Sequence, residues 1–222
     1  MLKERPILFS GEMVRAMLEG RKTQTRRVMR VQPYWVNSEY TGGHWMISGY
    51  EAGECIYTGP FKPAEEVKYG PGSCYPYSGC QYGLPGDCLW VRETWKAEKN
   101  IYESRPCVSV NFKASPDIVK VVLFEEDIFP SLSVINKWKS SIHMPRWASR
   151  INLEITAIRV ERVQEISAAD ARAEGIYPTH PEDAMGLISN FHILWDSINA
   201  KRGYPWVDNP WVWVVEFKRV EG

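Results

Sequence analysis

Hydrophobic and polar positions alternate most clearly in the last third of the chain. Ile151, Leu153 and Ile155 alternate with Asn152, Glu154 and Thr156, and Val160 and Val163 continue the run. This predicts one long strand over 151–163 with a bend near Ala157. Ser167-Ala-Ala-Asp170 follows, an acid-assisted N-cap for a short helix that ends at Gly175. Thr179-His-Pro-Glu182 repeats the capping logic, and the helix it starts is expected to bury Phe191, Leu194, Trp195 and Ile198. Trp211-Val-Trp-Val-Val-Glu-Phe217 is apolar on both faces until Glu216, as suits a central strand.

The first thirty residues are equally readable. Ile7, Leu8 and Phe9 form a strand-like run, Ser10 is a suitable N-cap, and Met13, Val14, Met17 and Leu18 recur on one helical face until Gly20. Farther on, Gly86-Asp87 makes a turn into 88–95, where Leu89, Val91 and Glu93 alternate against Trp90 and Arg92 as in a strand. Two stretches resist this treatment. Residues 31–85 hold eight of the eleven tyrosines and keep no period, which reads as a long insertion. Residues 96–145 are weakly patterned, with one convincing strand around 119–124. The whole is expected to be a single α+β domain over 1–222, with insertions at about 31–85 and 96–145.

Composition narrows the class. With 44% apolar and 24% charged residues the chain is a folding, globular one, and 27 basic against 27 acidic residues exclude a binder held to nucleic acid by bulk positive field. No segment approaches the roughly 20 apolar residues that span a bilayer, and the charges and proline of Met1-Leu-Lys-Glu-Arg-Pro6 do not suit a signal peptide. A cytoplasmic location without membrane contact is expected. Five cysteines with no Cys-x-x-Cys pair read as free thiols. A zinc site from Cys74, Cys80, Cys88 and either Cys55 or His44 is the less favoured alternative, because the spacings match no standard module. No metal or other cofactor is expected.

Charge distribution adds what the average conceals. Arg21, Lys22, Arg26, Arg27 and Arg30 fall within ten residues, directly after the first helix. Lys22 stands among like charges that disfavour its protonated form, so burial would bring it toward neutrality and let it serve as a base for Thr23 or Thr25. The alternative is that these cations stay charged and hold a polyanion, with Arg21, Lys22, Thr23, Arg26, Arg27 and Arg92 as the contact set. Glu93 is expected to pair with a neighbouring arginine. Glu174 sits at a helix C-terminus, where the macrodipole disfavours acids, which hints at a purpose other than helix stability. The four histidines form no ligand-like pair, and no P-loop, dinucleotide fingerprint or Gly-x-Ser-x-Gly motif is present.

The order of Gly20-Arg-Lys-Thr-Gln-Thr-Arg26, Gly86-Asp-Cys-Leu-Trp-Val91, the strand 151–163, Ala171-Arg-Ala-Glu-Gly175 and Trp213-Val-Val-Glu-Phe-Lys218 resembles the ASCH domain family. Ile7-Leu-Phe-Ser10, Leu89-Trp-Val-Arg-Glu-Thr-Trp95 and His143-Met-Pro-Arg-Trp147 resemble phrases of bacteriophage and prophage members. The resemblance implies a PUA-like mixed β-barrel with flanking helices, and RNA, single-stranded nucleic acid or a modified nucleoside as ligand. The chain is also similar to the bacterial N4-acetylcytidine amidohydrolases. There the lysine, threonine and glutamate positions matched by Lys22, Thr25 and Glu174 serve as proton acceptor, nucleophile and proton donor. Three readings follow. The first is an RNA or modified-nucleotide binder with a basic cleft, the second an amidohydrolase with a Thr nucleophile. The third is a phage assembly or host-interaction protein with a protein partner on the aromatic insertion.

Overall fold

The computed structural model describes residues 3–38, 42–46, 56–57, 80–102, 105–123, 136–177 and 184–220. In chain order the elements are β1 (Glu4–Leu8), α1 (Gly11–Leu18), β2 (Gln24–Val28), β3 (Tyr34–Ser38), β4 (Gly42–Met46) and β5 (Ile56–Tyr57). Next come β6 (Cys88–Arg92), β7 (Trp95–Tyr102), β8 (Arg105–Phe112), β9 (Ser115–Leu123) and β10 (Asn152–Arg162). The chain closes with α2 (Ala168–Ala173), α3 (Ala184–Asn199) and β11 (Trp211–Val220). The class is α+β.

Two compact units are present. The first comprises Met1–Thr23, Gly86–Ile155 and Phe217–Gly222, the second Gln24–Pro85 and Thr156–Glu216. In the first, β6 pairs in parallel with β1 and antiparallel with the start of β10, with Asn152 opposite Trp90 and Glu154 opposite Cys88. Its other sheet is an antiparallel meander, β7-β8-β9. Trp95, Ala97, Val108, Val110, Phe112, Met144 and Ala148 form the core beneath that meander, and Trp147 meets Trp95 edge to face at 5.8 Å. The expectation of a single strand here missed β7 and β8. β8 does alternate, with Val108, Val110 and Phe112 against Ser109 and Asn111, and Ser109 is buried as well, its Oγ accepting from Asn100 Nδ2 at 3.2 Å.

The short-range signals of the first unit appear as read. Ser10 Oγ accepts from Met13 N, Val14, Ala16 and Met17 are buried, and Gly20 turns the chain at φ +75°. After that turn the N–H groups of Arg21 and Lys22 both reach Ala16 O, at 2.8 and 3.0 Å, which fastens the basic loop to the helix end.

In the second unit β11 pairs antiparallel with β2, placing Gln24 opposite Glu216, Thr25 opposite Val215 and Arg26 opposite Val214. β11 is buried at every position from Trp211 to Val215, as its two-faced apolar pattern implies. β3, β4 and β5 form an antiparallel sheet within the expected insertion. α2 carries the capping box of Ser167 and Asp170, and Gly175 follows at φ +87°. α3 buries a stripe that holds Phe191 and Trp195 as expected, together with Leu187 and Asn199, whereas the expected Leu194 is half-buried and Ile198 is 40% exposed. The core on this side is made by Leu187, Phe191, Trp195, Val212 and Val214, and the helix turns that stripe toward it. The proposed cap at 179–182 lies outside the described residues.

β10 runs from one unit into the other, and its pattern changes where it does so. Leu153 and Ile155 are buried on odd positions, Ile158 and Val160 on even ones, with the slip at Thr156 and Ala157. The bend expected near Ala157 is therefore a change of inward face. Among the described residues the strands form open sheets and not the closed barrel expected, with β1 an edge in the first unit and β2 an edge in the second.

Candidate functional site

The alternation of β2 separates its residues into two rows. Gln24, Arg26 and Val28 share one face with Val212 and Val214, which pack against α2 and α3, while Thr25 and Arg27 project to the other. Arg26 therefore enters a core as a charged residue, with its side chain fully buried. Three carboxylates receive it: Glu161 at 2.8 Å, Asp170 at 3.3 Å and Glu174 at 3.5 Å. Its guanidinium carbon lies 6.0 Å from the Phe191 ring centre. Arg26 Nε and Nη1 make no hydrogen bond among the described residues.

The carboxylates come from two elements. Once β10 has slipped phase, Ile158 and Val160 occupy one row, and the opposite row carries Arg159 and Glu161. Asp170 and Glu174 are supplied by the short helix α2, Asp170 in its first turn and Glu174 as its C-cap. Asp170 is the junction of the network. Its carboxylate accepts from Ser167 N and Oγ, from Gln24 Nε2 at 3.2 Å and from Arg159 Nη2 at 2.8 Å. Its carbonyl accepts from Gln24 Nε2 at 3.1 Å and from Glu174 N at 2.8 Å. Arg159 also pairs with Glu161 and Glu216.

Burial by itself would raise the Asp170 pKa, but the Ser167 hydroxyl, the Arg26 charge, the Ser167 N–H and the Gln24 amide overcome it and hold the carboxyl at about 2. Burial likewise opposes the Arg159 charge, and Glu161, Asp170 and Glu216 lift it above its ordinary value. Arg27, on the opposite row, is pushed down by burial against the raising effect of Tyr82 and Glu174. Glu174 thus acts on arginines of both rows, as its place beside β2 allows.

The structure distributes the expected contact set between the two units. Arg21, Lys22, Thr23 and Arg92 belong to the first, Thr25, Arg26, Arg27 and Glu174 to the second. Arg21 Nε donates to Glu19 at 2.8 Å. Lys22 is 3% exposed, with its ammonium 5.7 Å from the Phe9 ring centre. Thr23 is exposed, and its carbonyl accepts from Phe217 N. Arg92 lies over Trp90 at 4.6 Å and donates to Ile142 O. In the second unit Thr25 is 2% exposed and projects from the row opposite Arg26, whereas Arg26 and Glu174 meet directly. Sequence reasoning missed Glu161, Arg159 and Gln24. The available signal was the pair of charged residues at 159 and 161 in a strand whose other row is buried.

Glu93 does pair with an arginine, but with Arg150 and not with its chain neighbour Arg92. Arg150 Nε and Nη2 donate to its two oxygens at 2.9 and 3.0 Å, and the guanidinium covers the Phe112 ring at 3.9 Å. Burial raises the Glu93 pKa, and Arg150 counters it. Of the cysteines considered for zinc, Cys55 and Cys74 lie outside the described residues, and neither Cys80 nor Cys88 forms a disulfide among the described residues. Among the described residues no group of three or more His, Cys, Asp or Glu side chains is placed to hold a metal ion, and no helix is long and apolar enough to cross a membrane.

Compared with known proteins, the chain matches no family model, no curated protein and no solved structure.

Proposed function

We propose that the chain is an ASCH-type, PUA-like protein that binds RNA or a modified nucleotide through the residues around Arg26 and Glu174. The observation that carries this is the burial of Arg26 among Glu161, Asp170 and Glu174. Burying charge is costly and adds little net stability over an apolar core, so a packed strand that keeps an arginine and three carboxylates is a place to look for recognition. An arginine–carboxylate set offers the donors and acceptors that read the edges of an unstacked base. Because the carboxylates offset the cation, binding is expected to depend on hydrogen bonding more than on a positive field. That departs from a purely basic cleft and suits a chain of zero net charge.

The test is ligand-induced stabilisation. A panel of nucleosides, modified nucleosides and short RNAs is screened by thermal shift against the wild type, Glu174→Gln and Arg26→Lys. At least one ligand is expected to raise the wild-type Tm, with the rise lost in Glu174→Gln and little changed between low and moderate salt. Failure of every ligand to stabilise the wild type refutes the proposal.

A second reading is favoured by the burial of Lys22, Thr25 and Glu174, which are 3%, 2% and 5% exposed. On this reading the roles are those the amidohydrolase resemblance implies, with Thr25 as nucleophile toward the acyl carbon of an N-acyl cytidine and Lys22 as proton acceptor. Glu174 protonates the departing amine, and water then hydrolyses the acyl-threonine. Release of cytidine from N4-acetylcytidine, abolished by Thr25→Ala, is the expected result; an inert wild type removes this reading. A protein partner on the 31–85 insertion predicts instead a pull-down through that segment without nucleic acid.

A further inference from the structure

We propose that β7 and the segment 136–143 of the first unit form a platform for single-stranded nucleic acid, on which Trp138 stacks a base and the lysines around it meet the phosphates. The inference takes its ligand class from the reading above but uses none of the residues of the Arg26 cluster.

Trp138 is 50% exposed, although the backbone that carries it is held firmly. Asn136 N donates to Ala97 O at 2.8 Å, Lys139 N to Trp95 O at 2.8 Å, and Trp95 N to Lys139 O at 3.2 Å. This pairing along β7 sets Trp138 beside Lys96, whose ammonium lies 5.6 Å from the ring centre. The ring is thus a half-bare aromatic surface with the Lys96 ammonium over it. Ile142, 57% exposed, adds a second apolar surface on the same segment.

Charge selects the partner. β7 and the segment 136–143 carry Lys96, Lys99, Lys137 and Lys139 against one acid, Glu98, which pairs with Lys96, in a chain whose total charge is zero. Contact surfaces between proteins are depleted in lysine, whereas a phosphate chain uses it. An aromatic face among lysines is what a sequence-tolerant single-strand binder presents, because every base has a face to stack.

Full-length protein is titrated into a labelled 12-nucleotide oligouridine and binding is followed by fluorescence anisotropy. Trp138→Ala is expected to weaken binding about tenfold, within the range that stacking of one base supplies, and Trp138→Phe to retain most of it. Lys137→Ala is expected to reduce the salt slope by about one phosphate contact. Unchanged affinity in Trp138→Ala overturns the proposal, as does equal competition by duplex RNA or absence of oligouridine binding by the wild type. Should Trp138→Ala fold poorly by circular dichroism, Trp138→Phe and Lys137→Ala decide the matter alone. Parallel titrations keep the two proposals apart. Oligouridine binding lost in Glu174→Gln but intact in Trp138→Ala sinks the platform only. Oligouridine binding through Trp138, without any nucleoside stabilisation, sinks the Arg26 reading only.

Discussion

Neutralising Asp170 probes the whole Arg26 network with one substitution. The native surroundings hold this carboxyl at about 2, against an ordinary value of 3.8. A shift of that size corresponds to about 2 kcal/mol of preference for the ionised form in the native state. The side chain is 22% exposed, and water screens part of the interaction, so about 1–2 kcal/mol is expected in practice. Asp170→Asn keeps an oxygen for the Ser167 cap and loses the charge that Arg26 and Arg159 face. Because the native pKa is depressed, the contribution is fully present above the unfolded value near 4. It fades as the pH falls through about 2, where both states are protonated. Urea unfolding of wild type and Asp170→Asn from pH 7 down to pH 2.5 measures it. The expected difference is about 1–2 kcal/mol at pH 7, equivalent to a Tm loss of about 2–8 °C, shrinking steadily below pH 4. A difference that stays constant with pH, or a variant as stable as the wild type at pH 7, would refute the electrostatic account.

Other consequences are as direct. Glu93→Gln leaves the Arg150 cation buried against Phe112 without its counter-charge and is expected to cost about 3–5 kcal/mol in denaturant unfolding; Glu93→Leu combined with Arg150→Met should cost clearly less. Phe112→Ala, at a fully buried position under that pair, is expected to cost about 3–5 kcal/mol by the same measurement. Gly20→Ala meets no atom within 4 Å but must adopt φ +75°, so a loss of about 1–2 kcal/mol is expected, smaller for Gly20→Asn.

What the chain announces in its order of residues is local. The Ser10 cap and Gly20 stop of α1, the Ser167–Asp170 box and Gly175 of α2, the turn at Gly86 and the two-faced apolar run of β11 all appear where the pattern puts them. Each depends on neighbours a few residues away, through capping hydrogen bonds, left-handed turns or alternation, and such interactions are written directly into the sequence. The bend of β10 was legible for the same reason, while its consequence was not: only the folded strand shows that the slip turns Arg159 and Glu161 into the row that meets Arg26.

Partner choice among charges was decided by tertiary structure alone. Glu93 has an arginine beside it in the chain and pairs with one 57 positions away, because alternation sends Arg92 to the other face and brings Arg150 to the same buried side. Arg26 stands in a run that reads as a loose basic loop, yet strand pairing with β11 carries it into a core where α2 and β10 supply carboxylates. Trp138 reads as one aromatic among many until its backbone docks on β7 and leaves the ring half exposed. Composition and periodicity determine which residues form strands and helices. Which charges are buried, and which aromatic stays bare, depends on contacts between residues far apart in the chain, and only folding brings those together.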